Sequence, residues 1–201
     1  TYHKEWNKGV DFKLEDFLKD MDKVVIGVDP ATTNNIRSDE TGIIVAAKDK
    51  KGRGWIIADL SGKYEILEWA NIVNAAYYKY GAKLIIAERN QGGDMVENSM
   101  KQVNTSLKIK TVHAQDGKIA RAEPISLLYD QGKIVHLGKK FLLLEDQMCN
   151  FTGHAVKRDM TAESEHKVVS PDRMDAMVYA LTELFIEGKR EPARGMIDFN
   201  F

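Results

Sequence analysis

The sequence predicts an α/β fold in which a mixed sheet of five strands, three antiparallel and the others parallel, has helices on its faces. The first observation is a series of three segments rich in Val and Ile, at about 23–29, 42–48 and 54–60, which predicts an antiparallel meander. The second is an alternation of helix-like and strand-like segments after residue 64, which favours parallel pairing. Nothing resembles an interdomain linker, so one domain is expected.

The elements follow from local patterns. Turn-forming residues at 49–54 join the second and third strands as a hairpin. Apolar residues with helical spacing run from 64 to 80, Gly81 supplies the helix end, and the next strand stops at Glu88. Further helices are predicted from about residue 94 and over 118–131, 141–151 and 171–186. Further strands are predicted over 107–112 and, at an edge of the sheet, over 133–137. The segment 152–169 is predicted to be a long loop or a hairpin.

Composition limits the kind of protein. A hydrophobic content of 43% with 29% charged residues is typical of a globular domain, and no apolar stretch is long enough to cross a bilayer. Cys149 is the only cysteine, so an intramolecular disulfide is excluded and a reducing, cytosolic setting is favoured. We expect this cysteine to pack as a small core residue.

The net charge of −1 means that any surface for nucleic acid must be local. The segment 101–121 is the best window, whereas the positive charges of 157–173 are offset by nearby acids. A solvated surface of mixed charge is the alternative for both windows, and the better interpretation of the second. The basic residues of the first window are Lys101, Lys108, Lys110, Lys118 and Arg121, against Asp116.

Acidic residues fall where the predicted elements would bring them together. Asp29 and Glu88 directly follow apolar strands, and Asp172 and Asp175 stand three residues apart at the start of the last helix, on one side of its first turn. If the two strands are parallel neighbours, their carboxyl ends meet. A helix packed across that end brings Asp175 to the same point, with Asp172 as a further candidate.

Such a cluster suits phosphodiester hydrolysis. Two divalent cations, Mg²⁺ or Mn²⁺, roughly 3.5–4 Å apart would activate water, neutralise a phosphate oxygen and stabilise the leaving group, and these ions prefer oxygen ligands. Structural interpretations exist as well. Asp29 precedes Pro30, as in a turn, and Asp172 suits a helix start. Glu88 is harder to explain structurally, because glutamate is a poor strand residue.

An ordered set of motifs resembles the C-terminal nuclease domain of bacteriophage large terminase subunits, over about residues 23–186. The motifs beyond the acids are the segments 27–31, 39–42, 92–96, 121–124, 128–133, 144–148 and 170–176. The resemblance implies a ribonuclease H-like fold and an endonuclease that cuts concatemeric viral DNA during packaging. It also implies that the family's metal-binding acids fall on Asp29, Glu88 and Asp175, with Asp172 at a neighbouring position.

The same resemblance implies partners and a location. They are double-stranded DNA, an ATPase domain, a small terminase subunit and a portal protein, in the cytoplasm of an infected bacterium and transiently at the procapsid portal. No Walker A pattern occurs in the chain, which begins at Thr1 like a piece of a longer protein. We expect 1–22 to be a connection to the ATPase domain, 23–188 the nuclease domain and 189–201 a tail.

Several basic residues are candidate DNA contacts. Lys118 and Arg121 open a helix after a strand and would reach a scissile or flanking phosphate, although a solvent-facing helix end is an equal alternative. Lys157, Arg158 and His166 lie in the irregular segment. His166 would approach the leaving group, with an exposed loop histidine as the default interpretation. We expect phosphate contacts and duplex shape to dominate, with little sequence specificity and a strong salt dependence.

Two other functions are compatible with the sequence. A Holliday-junction resolvase or transposase would use a similar acid cluster on the same fold. A docking module of the packaging motor would use the acids only to hold a structural ion. Arg173, between the two helical acids, is expected to form a structural salt bridge rather than to act in catalysis.

Overall fold

A computed structural model of the chain describes residues 13–30, 40–89, 94–113, 117–138, 141–151 and 170–187. The predicted tail at 189–201, the loop at 152–169 and residues 1–12 of the predicted connection lie outside these ranges. The division of the chain at residues 22 and 188 stays a prediction. Within the described ranges, none of the helices has the length and apolar character needed to cross a membrane.

The sheet has six strands in the order β5-β4-β1-β2-β3-β6. The pairs β1–β2 and β2–β3 are antiparallel, and the pairs β1–β4, β4–β5 and β3–β6 are parallel. The predicted mixed sheet is therefore confirmed, but the count of five strands was wrong. The strands are β1 (Met21–Asp29), β2 (Gly42–Asp49), β3 (Gly54–Asp59), β4 (Leu84–Glu88), β5 (Ile109–Val112) and β6 (Ile134–His136).

The sixth strand explains the error in the count. Three-residue β6 pairs in parallel with the outer side of β3, with Gly54 opposite Ile134. Its pairing satisfies backbone groups that an exposed β3 edge would leave open to another chain. A segment this short carries almost no periodic signal, so the sequence identified it as an edge strand without fixing its neighbour.

Helices cover both faces of the sheet. One face is covered by α1, α2 and α3 around buried residues such as Ile26 and Val73, and the other by α4, α5 and α6 around residues such as Val25 and Leu181. Alternate residues of β1 thus enter opposite cores, as the two-residue period of a strand requires. The helices are α1 (Leu14–Lys19), α2 (Ile66–Lys79), α3 (Asp94–Val103), α4 (Lys118–Asp130), α5 (Leu142–Cys149) and α6 (Asp172–Phe185).

Local signals at the helix ends agree with the structure. Gly81 and Gly132 follow α2 and α4 with φ angles of 62° and 64°, a conformation that glycine adopts at little cost. Helix α1 was not predicted, because it is only six residues long and half of them are charged. It forms where Phe17 packs edge-on against Trp55, with ring centroids 5.2 Å apart.

The environment of the cysteine differs from the expectation. Cys149 is exposed at the end of α5, so its assignment to the core was wrong. The buried position of this helix is Leu144, and a residue five positions later falls well off that face, since one turn takes 3.6 residues.

Helix α6 lies directly on the sheet because two strand residues lack a side chain. A Cβ atom at Gly27 of β1 would lie 2.0 Å from the carbonyl oxygen of Ala176, and one at Gly42 of β2 would lie 2.0 Å from the carbonyl oxygen of Asp172. Gly42 is also the residue that pairs with Asp29. The close contact therefore sets the start of α6 beside the end of β1.

Candidate active site

Two acidic residues end neighbouring strands at the same edge of the sheet. Val28 of β1 pairs with Ala87 of β4 in a parallel ladder, and the next residue of each strand is an acid, Asp29 or Glu88. Carboxyl ends of adjacent parallel strands lie side by side. Asp29 is buried and Glu88 is partly exposed, so one carboxylate lies inside the site and the other at its opening.

Helix α6 adds two further acids from above this edge. Asp172 and Asp175 occupy its first turn and are 8% and 2% exposed. Acidic side chains there interact favourably with the positive end of the helix dipole, which offsets part of the cost of burying them. The main-chain contacts at Gly27 and Gly42 hold this turn over the ends of β1 and β2.

Arg173 fixes the start of α6 through a buried ion-pair cluster. Its Nε donates to Oε2 of Glu40 at 3.0 Å and its NH1 group to Oδ2 of Asp59 at 2.8 Å. The side-chain oxygen of Gln147 accepts from the backbone N–H groups of residues 173 and 174. The prediction of a structural salt bridge is confirmed, and Arg173 ties α6 to the end of β3.

The electrostatic consequence is clearest at Asp29. Burial raises the pKa of its carboxyl well above the ordinary value, and the negative charges of Asp175, Glu88 and Asp172 raise that pKa further. Lys118 acts in the opposite direction. The Asp29 carboxylate is therefore close enough to the other three acids to be repelled by them, and the four form one electrostatic cluster.

Cationic side chains of α4 face this cluster. The Lys118 ammonium donates to Oδ2 of Asp175, and NH2 of Arg121 lies 3.8 Å from Oδ1 of the same residue. Lys118 is the first residue of α4 and Arg121 lies one turn later, so both reach the same side. The structure has both side chains at the acid cluster, with Lys118 41% exposed, and their contact with a phosphate stays a prediction.

Tyr179 also belongs to the site, and the sequence reading missed it. It is 5% exposed, and its hydroxyl donates to Oε2 of Glu88 at 2.6 Å. Its position four residues after Asp175 was the available signal, because residues i and i+4 share a helix face. The aromatic residues of the helices were instead assigned to the core.

The sequence from residue 26 to residue 184 matches the model of the terminase RNaseH-like domain family. The chain belongs to this family. The match covers most of the chain, and it confirms both the family suggested by the motifs and the ribonuclease H-like fold. No curated protein matches the sequence.

Solved structures agree with the fold of this terminase domain. The large terminase nuclease from thermophilic phage G20c has a TM-score of 0.56 at 17% identity, over 80% of this chain and 82% of that one. The Sf6 terminase nuclease domain, as a mutant with manganese and beta-thujaplicinol, gives 0.54 at 15%, over 84% and 92%. The yeast mitochondrial Holliday junction resolvase gives 0.50 at 11%, over 85% and 84%.

The side chains gathered in this site of the terminase domain are the type of ligand that suits hard divalent cations. The cluster offers carboxylate oxygens only, which is the ligand type that Mg²⁺ and Mn²⁺ prefer, and the raised pKa of Asp29 marks a place where positive charge would be stabilising. Among the described residues, no three His, Cys, Asp or Glu side chains already surround a point suited to a metal ion. Asp175 and Glu88 instead accept hydrogen bonds from Lys118 and Tyr179.

The structure does not test the candidate DNA contacts in the segment 152–169. Lys157, Arg158 and His166 lie outside the described residues. In the first basic window, Lys101 pairs with Glu97 at 2.5 Å, and Lys110 pairs with Glu183 at 2.8 Å. Much of the positive charge counted in that window is therefore neutralised within the fold.

Proposed function

We propose that this domain is a metal-dependent DNA endonuclease that cuts concatemeric viral DNA during genome packaging. The observation that carries the proposal is the gathering of four carboxylates at one sheet edge, where they raise the pKa of buried Asp29. Membership of the terminase family supplies the viral context. Lys118 lies among these acids, yet the pKa of Asp29 stays raised, so an additional bound cation would stabilise the cluster.

Asp29, Glu88, Asp172 and Asp175 would hold two divalent cations, Mg²⁺ or Mn²⁺. When bound, such ions supply an acidified water and neutralise charge on the phosphate and leaving oxygens. The chain's own contribution is to hold the acids in a fixed arrangement. Asp29 is presented by β1, Glu88 by β4 and the helical pair by α6, so their relative positions are set by the sheet and not by a loop.

Lys118 and Arg121 would contact the DNA backbone next to the acids. Lys118 is 41% exposed while Arg121 is 15% exposed, so the lysine is the more accessible to a phosphate and the arginine is held by the fold. Phosphate contacts carry no direct sequence information. We therefore propose cutting with little sequence specificity and binding that weakens as salt increases.

The biological setting follows from the same proposal. The partners would be double-stranded DNA, a packaging ATPase domain, a small terminase subunit and the portal protein, and cleavage would take place in the host cytoplasm at the procapsid portal. The nuclease of phage G20c has been solved with magnesium and that of Sf6 with manganese. These relatives support the use of a divalent ion here.

The test is nicking of supercoiled plasmid DNA in Mn²⁺ or Mg²⁺. We expect the wild type to nick the plasmid and Asp29→Ala, Glu88→Ala and Asp175→Ala to lose this activity. Glu183→Gln is the matched control, because Glu183 lies on the same helix and is 7% exposed. Its carboxylate binds Lys23 and Lys110 and not the acid cluster.

The result that would contradict the proposal is equal nicking by all these proteins, which would point to a contaminating nuclease. Loss of activity in the control as well would show that any damage to α6 has the same effect. A four-way DNA junction in parallel reactions separates the resolvase alternative, since preferential cutting of the junction over linear duplex would favour that function. A folded protein that binds Mn²⁺ without cutting any DNA would favour the docking module.

A further inference from the structure

Three side chains form a chain of hydrogen bonds that ends on a carboxylate of the proposed metal site. The Arg121 NH1 group donates to the hydroxyl oxygen of Tyr179, and that hydroxyl donates to Oε2 of Glu88 at 2.6 Å. The guanidinium carbon also lies 5.1 Å from the centre of the Tyr179 ring. The phenol is thus fixed both at its face and at its oxygen.

The direction of these bonds is set by chemistry. Arginine has donors only and an ionised carboxylate has acceptors only, so the tyrosine hydroxyl accepts from the first and donates to the second. A donor whose oxygen already accepts from a cation is polarised and forms a stronger bond to the carboxylate.

A purely structural role does not account for the hydroxyl. Phenylalanine would fill the same space in the core, and a buried hydroxyl is stabilising only where it finds a partner. Here the partner is Glu88, the partly exposed acid at the end of β4. A glutamate side chain has more torsions to restrain than an aspartate side chain. The bond occupies one oxygen of Glu88 and leaves its other lone pairs available.

We propose that Tyr179 is a positioning residue that holds the Glu88 carboxylate in the orientation needed to bind a divalent cation, with Arg121 holding Tyr179. This inference rests on the proposed function, since it assigns a partner to one of the acids of that site. Outer groups that orient a metal ligand typically change metal affinity or activity by 10- to 100-fold when they are lost.

The experiment measures Mn²⁺ binding to the domain without DNA, by electron paramagnetic resonance or calorimetry, for the wild type and Tyr179→Phe. We expect the dissociation constant of the variant to rise by about tenfold, with little change in melting temperature. In plasmid nicking, the Mn²⁺ concentration for half-maximal rate should rise by a similar factor. The rate at saturating Mn²⁺ should fall less, because excess metal restores occupancy.

Tyr129→Phe is the matched control. Tyr129 also packs against α6, where its hydroxyl bonds to Sδ of Met177 at 3.1 Å and lies 2.8 Å from Nε2 of His136. Removing this hydroxyl deletes the same atom from the same face of the sheet without touching the acid cluster. We expect Mn²⁺ binding by Tyr129→Phe to equal that of the wild type.

Unchanged Mn²⁺ affinity in a folded Tyr179→Phe protein would overturn the inference, and so would equal losses in both tyrosine variants. If Tyr179→Phe does not fold, Arg121→Lys answers the same question, because it keeps the Tyr179 ring and the positive charge beside Asp175 but removes the guanidinium group that donates to the hydroxyl. About threefold weaker binding is then expected, below the range for a direct partner of a ligand, and wild-type affinity would contradict the inference. A wild type that binds no Mn²⁺ and cuts no DNA would instead overturn the proposed function itself.

Discussion

Asp29 and Asp49 end adjacent strands at opposite ends of the same antiparallel pair. Asp29 pairs with the first residue of β2, and Asp49 pairs with Met21, the first residue of β1. Their exposures are similar, 8% and 5%. They share a residue type, a local pattern and a degree of burial, but their surroundings are opposite.

Asp49 is surrounded by donors. Its Oδ1 accepts from the backbone N–H groups of Lys51 and Arg53, each at 2.9 Å, and its Oδ2 accepts from Nε of Arg53 at 2.9 Å and Nε1 of Trp55 at 3.1 Å. Burial opposes ionisation, but these hydrogen bonds outweigh it and lower the pKa of Asp49. This carboxylate closes a hairpin.

Asp29 is surrounded by other acids, which raise its pKa in addition to burial. A buried aspartate at the end of a strand therefore indicates a functional site only when its neighbours are considered. The ionised Asp49 carboxylate stabilises the fold, whereas the ionised Asp29 carboxylate lowers the free energy of unfolding. That cost marks the place where the function of the domain is expected.

Activity should separate the two positions most strongly. Asp29→Asn is expected to lower plasmid nicking by more than about a hundredfold, beyond the usual loss for an outer partner of a metal ligand. Asp49→Asn should keep nicking per folded molecule within about threefold of the wild type, because its hydrogen bonds lie at the far end of the strands. Equal losses in the two variants, measured below both melting temperatures, would remove the distinction.

A divalent metal ion should stabilise the folded domain only when the acid cluster is intact. An ion at a hundred times its dissociation constant adds about 2.7 kcal/mol to the free energy of unfolding, a rise in melting temperature of about 5–10 °C for a domain of this size. Thermal unfolding with and without Mn²⁺ should show this rise for the wild type and Asp49→Asn and not for Asp29→Asn. A rise retained in Asp29→Asn would locate the ion elsewhere.

In thermal stability, the larger loss is expected for the change at Asp49 and not for the change at Asp29. Asp49→Asn replaces an acceptor by an amide N–H₂ group that faces the donors of Arg53 and Trp55. The loss of charge-assisted hydrogen bonds is expected to cost about 2 kcal/mol, or about 4–8 °C in melting temperature. A smaller change at neutral pH would mean that the hairpin depends little on its carboxylate.

The smallest effect concerns pH. Since folding raises the pKa of Asp29, its destabilising contribution is present above the folded pKa and disappears as the pH falls through that value towards 3.8, the ordinary value. Asp29→Asn should therefore be more stable than the wild type at pH 7. Each kcal/mol gained in the free energy of unfolding should raise the melting temperature by about 2–4 °C. That difference should close as the pH is lowered.

The corresponding difference for Asp49→Asn should close at a lower pH. Folding lowers the pKa of Asp49 from its ordinary 3.8, so its stabilising contribution is complete above 3.8 and is lost as the pH falls through the folded value. Melting curves of the three proteins between pH 7 and pH 3 should show the Asp29 difference vanish first. The reverse order would contradict the assignment of the two environments.

The sequence was sufficient for the strands and for the order of the acids. Apolar runs that stop abruptly at Asp29 and Glu88 are strong signals, because a fully buried strand has few other ways to end. The spacing of Asp172 and Asp175 likewise follows from helical periodicity alone. These inferences need no knowledge of distant residues.

The remaining features depend on contacts between distant segments. Helix α1 is held by the contact of Phe17 with Trp55, and the role of Tyr179 depends on its hydrogen bond to Glu88, 91 residues away. The basic window contains Lys110, whose charge is taken up by Glu183, 73 residues away. A charge count along the chain cannot detect such pairing.

The contact at Gly27 and Gly42 has a consequence for how this domain tolerates change. Because α6 rests on main-chain atoms of the sheet, the separation between the strand-borne and helix-borne acids does not depend on the volume of intervening side chains. The apolar layer around them is then free to be rebuilt from other residues of suitable size. Substituting either glycine, in contrast, would wedge the helix away and pull the carboxylates apart while most of the hydrophobic interior stayed intact.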